Sequence, residues 1–417
     1  ERLARRSHLV TVATTHVDER TSSVLNGVNV VGFNICGNQV RGIYGEVKKF
    51  QSFLLNSDAD LIFFYAAQQW TFDAAWDVLS QLKAKKVLVP CGYSGLYLDA
   101  YTDYFLALPK ILAMLDAVVY HAQSYRDIDF AHTHNLNNSI VIPNGAALEE
   151  FHVPIDSKFR KSIGADEETI IILTVGTVTG LKGHVELVRA FALADFGSSP
   201  ALLILNGNKP KNSKKFLERL QGFIGLIRSE GLYYAARHLA YISLLALGWR
   251  GGNSNSIHNW VTRINLGQYG NKRALQVDFP RSQLIQAYLQ SNLFVFASNV
   301  EYSPLVLFES CAAGLPFLSV PVGNSCEIAE WTGGGVLCDA CVDQEGYTRP
   351  DPEVLARAIE ALLSKPEQMS KMSFKGKKAS QVRYNWASLT IEYEQLFIKI
   401  LGGEQVADYE TLSRGNG

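Results

Sequence analysis

Between residues 294 and 316 the sequence reads FVFASNVEYSPLVLFESCAAGLP. Its first residues are apolar, as in a buried strand, and its second half is apolar or small, as in a helix packed on a sheet. Ser303 and Pro304 are a favourable pair for an N-cap and a first turn, so we expect the helix to begin near Pro304. The stretch therefore predicts a strand, a loop and a helix in succession, the repeating unit of an α/β fold.

Similar apolar runs recur on both sides of a polar stretch that extends from Asn144 to about Gly164. Segments with helical spacing lie between the runs, so each side predicts a doubly wound, Rossmann-like parallel sheet. Two such sheets that face each other share a cleft at the carboxyl ends of their strands, where folds of this class bind ligands. The runs are residues 9–12, 28–33, 61–65, 87–89, 117–120 and 140–142, then 170–175, 202–205, 293–296, 317–320 and 336–338.

A chain of 417 residues has the length of two large domains. We place the first domain at residues 1–150, the second at 151–385, and a closing helix with a polar tail at 386–417. A long insertion at about 209–275 interrupts the second domain. The chain begins without Met in what reads as the end of a helix, so we expect the first strand of the first domain to precede Glu1.

Within the insertion, residues 232–249 place apolar side chains on one helical face, which Arg237 and His238 interrupt. The stretch is too short and too polar to span a bilayer. It is either an extra helix packed on the second domain or a basic amphipathic element that contacts a membrane surface. The second interpretation makes peripheral membrane contact through 232–249 part of the prediction.

The composition excludes several classes of protein. Hydrophobic residues make up 47% of the chain and charged residues 19%, which excludes a largely disordered protein. The formal charge of −1 argues against nucleic acid as a partner, because proteins that bind polyanions usually carry a basic excess. The six cysteines lack the spacing of a disulfide framework or of a metal site, so we expect a cytoplasmic protein without a structural metal.

Two glutamates flank the start of the helix predicted near Pro304. Glu301 falls in the loop before it, and Glu309 lies more than a turn inside it, in an apolar run where an unpaired carboxylate is costly. The backbone N–H groups around Ser303, Leu305 and Val306 are orphan donors that suit a phosphate or sugar hydroxyls. On spacing alone the two glutamates also fit solvated surface positions, but Glu309 suits the vicinal diol of a ribose.

A second loop, between the predicted strand 170–175 and the helix after it, contains Gly176 and Lys182. Gly176 lets the chain turn away at the end of the strand. Lys182 precedes the helix, where a point cation and the helix dipole together suit a diphosphate. The spacing is not that of a P-loop, and by itself it is somewhat more typical of a loop with no binding role.

These motifs together resemble the retaining GT-B glycosyltransferases of the large family 4, the glycosyl transferases group 1. The resemblance covers most of the chain, most clearly at 140–205 and 283–339. Its specific part is the family's pair of glutamates separated by seven residues, Glu301 and Glu309 here, followed by a small-residue helix and Gly-Leu-Pro. The other matches are Gly176 to Gly183, Ile142-Pro143-Asn144-Gly145, Val322-Gly323 with Glu327, Gly333-Gly334-Gly335 and Trp386.

The resemblance implies a GT-B fold with an N-terminal acceptor domain and a C-terminal donor domain. It implies transfer of a sugar from a nucleotide diphosphate sugar, a co-substrate rather than a cofactor, to a glycan or lipid-linked acceptor, with retention of configuration and without a metal. Cell-envelope polysaccharide biosynthesis is the expected setting. The implied catalytic residue is Glu301, which contacts the transferred sugar. The implied donor-binding residues are Gly176, Thr177, Lys182, Ser303, Pro304, Leu305, Val306 and Glu309.

Three departures from the family pattern support an alternative function. Thr177 stands where the family usually has an arginine, which removes one diphosphate cation; Arg273 and Arg281 are candidates to replace it. The loop Val89-Pro90-Cys91-Gly92-Tyr93-Ser94-Gly95 has no histidine where the family usually has one, and the family's glycine-rich acceptor loop would precede Glu1. The alternative is a degenerate GT-B protein that binds a nucleotide or glycan without catalysis.

Overall fold

The structure, a computed structural model, describes residues 1–178, 180–207, 256–344 and 346–404. The chain forms two compact units, one of Glu1–Pro143 with the segment from Ala387 onward, and one of Asn144–Trp386. Most of the predicted insertion lies outside the described residues, and so does the stretch 232–249 with both interpretations of it. No helix among the described residues is long and apolar enough to cross a membrane.

The first unit is built on a parallel sheet in the order β6-β7-β8-β9, beside smaller sheets of β1-β3-β2 and β4-β5. Its strands are β1 Thr11–Thr15, β2 Val24–Leu25, β3 Val28–Phe33, β4 Ile35–Asn38, β5 Gly42–Gly45, β6 Leu61–Tyr65, β7 Lys85–Val89, β8 Ala117–Tyr120 and β9 Ser139–Val141. Its helices are α1 Arg2–Arg5, α2 Val47–Leu55, α3 Trp70–Asp73, α4 Thr102–Leu112 and α5 Arg126–Thr133, with 3₁₀ turns at Trp76–Gln81 and Asp99–Tyr101.

The second unit is built on a parallel sheet in the order β12-β11-β10-β13-β14-β15, with a hairpin of β16 and β17 beside it. Its strands are β10 Ile170–Val175, β11 Ala201–Asn206, β12 Lys272–Val277, β13 Leu293–Phe296, β14 Phe317–Ser319, β15 Gly335–Leu337, β16 Cys341–Val342 and β17 Thr348–Arg349. Its helices are α6 Phe159–Ser162, α7 His184–Leu193, α8 Ile257–Asn265, α9 Arg281–Gln290, α10 Leu305–Ala313, α11 Ser325–Thr332, α12 Pro352–Leu363 and α13 Pro366–Val382, with a 3₁₀ turn at Leu148–Phe151.

The central strands of the second unit are buried on both faces, because helices cover the sheet from both sides. Every residue of β11 and β13 is buried. One layer of the core packs Phe294 and Phe296 against Phe308 of α10, and the opposite layer packs Val295 against α7. This explains why β13 reads as a continuous apolar run rather than an alternating one.

Residues 257–277 belong to the sheet and its flanking helices, although the sequence analysis counted residues up to 275 in the insertion. They form α8 and the edge strand β12, which pairs in parallel with β11. The sequence of β12 is KRALQV, in which Ala274 is the buried residue. An edge strand with a basic start gives no apolar run, so the pattern analysis did not detect it.

A last helix, α14, extends over Trp386–Leu401 as the sequence predicts, and it packs on the first unit. The rings of Tyr393 and Phe397 lie 5.8 and 5.7 Å from the ring of Phe63 on β6. Arg6 and His8 donate hydrogen bonds to Glu394, and these bonds lower the pKa of Glu394 to about 2. The closing helix is therefore tied to the unit in which the chain begins.

Candidate functional site

The predicted site residues of the second unit lie on two loops that leave the sheet at the same edge. Strands β10 and β13 are parallel neighbours, with Ile172 paired to Leu293. The loop after β10 contains Gly176, Thr177 and Lys182, and the loop after β13 contains Glu301 and Ser303. Since parallel neighbours end side by side, two stretches separated by more than a hundred residues meet at one place.

The Lys182 loop is fixed on the end of β13 by a close backbone approach. Gly183 has a φ of 63°, and a Cβ atom on it would lie 1.6 Å from the carbonyl oxygen of Ala297. The backbone N–H of Asn299 donates to the carbonyl of Leu181 at 3.0 Å, and Ser298 Oγ donates to the same carbonyl at 3.3 Å. A residue with a side chain does not fit at position 183, so the position of Lys182 depends on this glycine.

Lys182 and Glu301 form an ion pair between the two loops. Their side chains are 26% and 21% exposed, so water reaches the pair only in part. Ser298 Oγ also lies 3.5 Å from the carboxylate of Glu301. An ammonium and a carboxylate held together in a half-buried place form a preorganised charged site, because the interaction is screened less than on an open surface.

The turn after β14 packs against the Glu301 loop and holds it in place. A Cβ atom on Gly323 would lie 2.2 Å from the carbonyl oxygen of Tyr302. The backbone N–H of Asn324 donates to that carbonyl at 2.8 Å. The Val322-Gly323 motif thus has a structural reason in this chain, since it carries the residue next to Glu301.

Helix α10 begins one residue later than the sequence predicts. Pro304 takes the N-cap position with φ −70° and ψ 110°, so Ser303 lies too far back to cap the helix. The prediction of a Ser303 cap is therefore wrong: Ser303 Oγ is buried and has no hydrogen-bond partner among the described residues. The N–H groups of Leu305 and Val306 are at the first two helical positions and cannot bond within the helix, whereas Pro304 has no N–H to offer.

Glu309 is held by two side chains of helix α9. Arg281 Nη2 lies 2.7 Å from Oε1 of Glu309, and the buried Tyr288 donates its hydroxyl to Oε2 at 3.0 Å. Arg281 also contacts Glu150 at 2.5 Å. Burial opposes the charge of Arg281, but the hydrogen bonds to Glu150 and Glu309 outweigh it and raise its pKa. Glu309 keeps lone pairs for a diol, since each carboxylate oxygen accepts two hydrogen bonds.

Of the two arginines considered as replacements at position 177, Arg281 contacts a predicted site residue, whereas Arg273 donates to the carbonyl of Gly164 at 2.7 Å. Thr177 itself is exposed. The contact of Tyr288 with Glu309 was missed by the sequence analysis. The sequence shows only a tyrosine on the buried face of a predicted helix, and this does not predict which residue its hydroxyl contacts.

His184, the first residue of helix α7, was also missed as a neighbour of Lys182. It is buried, and its Nδ1 has no hydrogen-bond partner in the part of the chain that the structure describes. Burial, together with the charge of Lys182, lowers the pKa of His184 to about 4. The imidazole is therefore neutral at neutral pH, and Lys182 carries the positive charge at this end of the loop.

The sequence of this unit matches a known family model. Residues 265–379 match the model of the glycosyl transferases group 1, a range that includes Glu301 and Glu309. In this segment the chain is therefore similar to the glycosyl transferases group 1. The prediction of a glycosyltransferase is thereby confirmed as an enzyme class. A comparison with curated proteins found no match.

Solved structures resemble the whole chain rather than one unit. Sucrose-phosphate synthase from Thermosynechococcus elongatus has a TM-score of 0.66 and 18% identity, over 97% of this chain and 92% of its own. A glycosyltransferase from Rickettsia africae ESF-5 has a TM-score of 0.64 and 13% identity, over 96% of this chain and 93% of its own. Anabaena HepE in complex with UDP has a TM-score of 0.62 and 14% identity, over 94% of this chain and 100% of its own. At such low identity the likeness shows the fold, and it confirms the predicted GT-B class of two Rossmann-like α/β units.

Proposed function

We propose that this protein transfers a sugar from a nucleotide diphosphate sugar to a glycan or lipid-linked acceptor, with retention of configuration and without a bound metal. The similarity to the glycosyl transferases group 1 supports glycosyl transfer. The HepE structures, one with UDP and one with UDP-glucose, support a nucleotide-sugar donor by analogy of fold. The acceptor, the retention of configuration and the absence of a metal go beyond that class and are part of the proposal.

The observation that carries the proposal is the Lys182–Glu301 ion pair beside the first turn of α10. A donor diphosphate presents negative charge to Lys182 and to the N–H groups of Leu305 and Val306. When Lys182 turns to the diphosphate, the carboxylate of Glu301 accepts hydrogen bonds from the sugar. The same pair of charges then stabilises a departing diphosphate and a sugar that develops positive charge.

Glu309 has the separate task of binding the nucleotide's ribose. Arg281 and Tyr288 fix the orientation of its carboxylate, which leaves acceptor capacity for the two ribose hydroxyls. Ser303 Oγ, which has no partner among the described residues, is a further group that can bind phosphate or sugar at the start of α10.

The second candidate function is binding of a nucleotide or glycan without catalysis. Thr177 favours it, because a threonine hydroxyl carries no charge where the family's usual arginine meets the diphosphate. Arg281 does not replace that charge, since its guanidinium is bound to Glu150 and Glu309.

The test is a screen of the purified chain against UDP-, GDP- and ADP-sugars with mixed glycan and lipid-linked acceptors. We expect release of nucleoside diphosphate with one donor, and an NMR spectrum of the product that keeps the anomeric configuration of the donor. Tight nucleotide binding without any release of diphosphate would favour the second candidate. An inverted product would leave glycosyl transfer intact and reject retention.

A further inference from the structure

Helix α13 has one face fixed against the second unit. Gly376 packs closely: a Cβ atom on it would lie 3.0 Å from Gly334 Cα and 3.2 Å from Cys311 Sγ. Met372 is buried on the same side, and Ser373 Oγ donates to the carbonyl of Gly314 at 2.6 Å. A side chain at position 376 would force its neighbours to shift, so this face of the helix packs tightly on the second unit, and the opposite face points outward.

The outward face combines positive charge with large exposed apolar groups. At 100° per residue its side chains fall within an arc of about 100°. Phe374 is 69% exposed and Val382 is 68% exposed. Between and beside them lie the exposed lysines Lys371, Lys375 and Lys378.

The charge of this segment differs from that of the chain. Residues 365–383 contain six basic side chains and one acidic side chain, Glu367, a net charge of +5, whereas the whole chain carries −1. Among the described residues, no ion pair involves Lys371, Lys375, Lys377 or Lys378. Lys371, Lys375 and Lys378 lie within one arc of the helix and repel each other, so the arrangement indicates an anionic partner rather than a contribution to stability.

Two surface depressions adjoin the helix, one at each end. The first, of about 350 Å³, is lined by Lys375, Lys378, Val382 and Trp331, with Glu330 at its edge. The second, of about 520 Å³, is lined by Lys365, Lys371 and Pro366, with Glu367. Each is an open depression in which two lysine ammonium groups lie beside an apolar or proline surface. Such a surface suits the phosphate headgroup of a lipid whose acyl chains stay in the bilayer.

Two of the lysines have a partial structural explanation. The stems of Lys375 and Lys377 lie 2.9 and 3.4 Å from where a Cβ atom would stand on Gly333 and Gly314, the glycines that end helices α11 and α10. A cation is favourable at a helix C-terminus. Proximity to a helix C-terminus does not explain Lys371, Lys378 or the exposed ring of Phe374.

We propose that the outward face of α13, defined by Lys371, Phe374, Lys375, Lys378 and Val382, docks on the surface of an anionic lipid bilayer. Lysines bind the negative headgroups, and Phe374 with Val382 enters the boundary between headgroups and acyl chains. A nucleic acid would use the charge but gains nothing from an exposed phenyl ring and valine in the same arc, so the lipid surface is the better match. The proposal is independent of the catalytic function, because none of these residues belongs to the donor site.

The experiment is flotation of the full chain with two kinds of vesicle, one of phosphatidylcholine alone and one with about a third of phosphatidylglycerol. The charge variant is Lys371→Glu with Lys375→Glu and Lys378→Glu, and the apolar variant is Phe374→Ala. The matched control is Lys83→Glu with Lys158→Glu and Lys161→Glu, three exposed lysines elsewhere that give the same change of net charge. Circular dichroism checks folding, and Lys371→Gln with Lys378→Gln is the milder substitute if the charge variant is unfolded.

We expect the full chain to float with the anionic vesicles only, and less so as salt is raised. Each lysine at such a surface contributes about fivefold to binding, so the charge variant should lose at least about tenfold. Phe374→Ala should lose several-fold, and the control should bind like the unchanged chain. The proposal is overturned if the chain does not float, if it floats equally with neutral vesicles, if the charge variant and control bind alike, or if a DNA duplex displaces the chain from the vesicles. Nucleoside diphosphate release by the same variants reports separately on the catalytic proposal.

Discussion

The two glutamates of the site have different surroundings, and this difference separates their expected roles. Glu301 lies in a loop and forms an ion pair with Lys182 of the neighbouring loop. Glu309 lies inside a helix and is held by Arg281 and the hydroxyl of Tyr288. A group meant to change partners during a reaction fits the first environment, and a group meant to bind in one fixed orientation fits the second.

If Glu301 contacts the sugar and Glu309 the ribose, as proposed, substitution of each glutamate by glutamine should affect different kinetic quantities. Glu301→Gln removes the charge that faces the sugar, so we expect kcat to fall by at least about a hundredfold with little change in nucleotide affinity. Glu309→Gln weakens the ribose contact, so we expect the Kd for the nucleoside diphosphate to rise about tenfold, which corresponds to the loss of about 1.4 kcal/mol. Steady-state kinetics and calorimetric titration measure the two effects.

Glu353→Gln is the matched control, because Glu353 is an exposed helical glutamate on α12 away from both loops. If Glu301→Gln and Glu309→Gln behave like it in both measurements, the two glutamates have no role in the donor site.

His184 gives the site a pH dependence of stability. Its pKa is lowered from 6.5 to about 4 in the folded chain, so between these values the unfolded chain binds a proton that the folded chain does not. The stability that depends on neutral His184 is present above about pH 6.5 and is lost as the pH falls toward 4. Between about pH 7 and about pH 4.5 the loss amounts to about 2 kcal/mol.

In His184→Leu this part of the acid sensitivity should disappear, because leucine has no proton to bind. Urea unfolding of both proteins at the two pH values, followed by tryptophan fluorescence, measures the difference. His132→Gln, a change at an exposed histidine on α5, should leave the acid sensitivity as it was. An equal loss of stability in all three proteins would show that another group is responsible.

At the scale of elements, the site depends on how closely two loops approach at the ends of β10 and β13. Gly183 and Gly180 allow a clean test, since they lie in the same loop with φ of 63° and 82°. A Cβ atom would collide with Ala297 at position 183 and would meet nothing within 4 Å at position 180. Both substitutions impose the same kind of backbone strain, and only one disturbs the docking of the loop.

Gly183→Ala should therefore lower kcat/KM by more than about tenfold beyond the effect of Gly180→Ala, because it displaces Lys182 from Glu301. Measurement of kcat/KM for the sugar donor in the two variants tests this expectation. Equal effects would mean that the close approach to Ala297 is not what places Lys182.

The elements that the sequence predicts with the correct bounds are strands formed by short apolar runs. Strands β3, β6, β8, β10 and β13 have the predicted bounds, because each is a short apolar run between polar turns. Residues 70–82 are one of the segments with helical spacing between the apolar runs, but they form α3 and a separate 3₁₀ turn at Trp76–Gln81. Apolar spacing is nearly the same in both kinds of helix over so short a length, so it cannot separate them.

The site was predictable in its carboxylates and its lysine, and less so in their partners. The pairing of Lys182 with Glu301 follows from two loops at the ends of neighbouring strands, which the topology of the sheet implies. The contacts of Arg281 and Tyr288 with Glu309 depend on the rotation of α9 about its own axis. No pattern in one sequence fixes that rotation, because the arginine lies at the end of the helix and the tyrosine reads as part of the core.

At the scale of the whole molecule, the second unit is inserted into the first along the sequence. The chain enters it at Asn144 and leaves it at Trp386. The two passages are hydrogen-bonded to each other: the N–H of Ala146 donates to Tyr384 at 3.1 Å, and the N–H of Trp386 donates to Ala146 at 3.0 Å. The second unit is thus closed at its own base by the segments that enter and leave it.

This arrangement sets the order in which the protein is completed on the ribosome. The rings and the carboxylate of α14 that contact Phe63, Arg6 and His8 are translated after all of Asn144–Trp386. The second unit can fold as soon as it emerges, while the unit that began first waits for its last helix. During synthesis β6 therefore stays without its aromatic cover for the time needed to make more than two hundred residues, a window in which a chaperone or a slow codon would have its greatest effect.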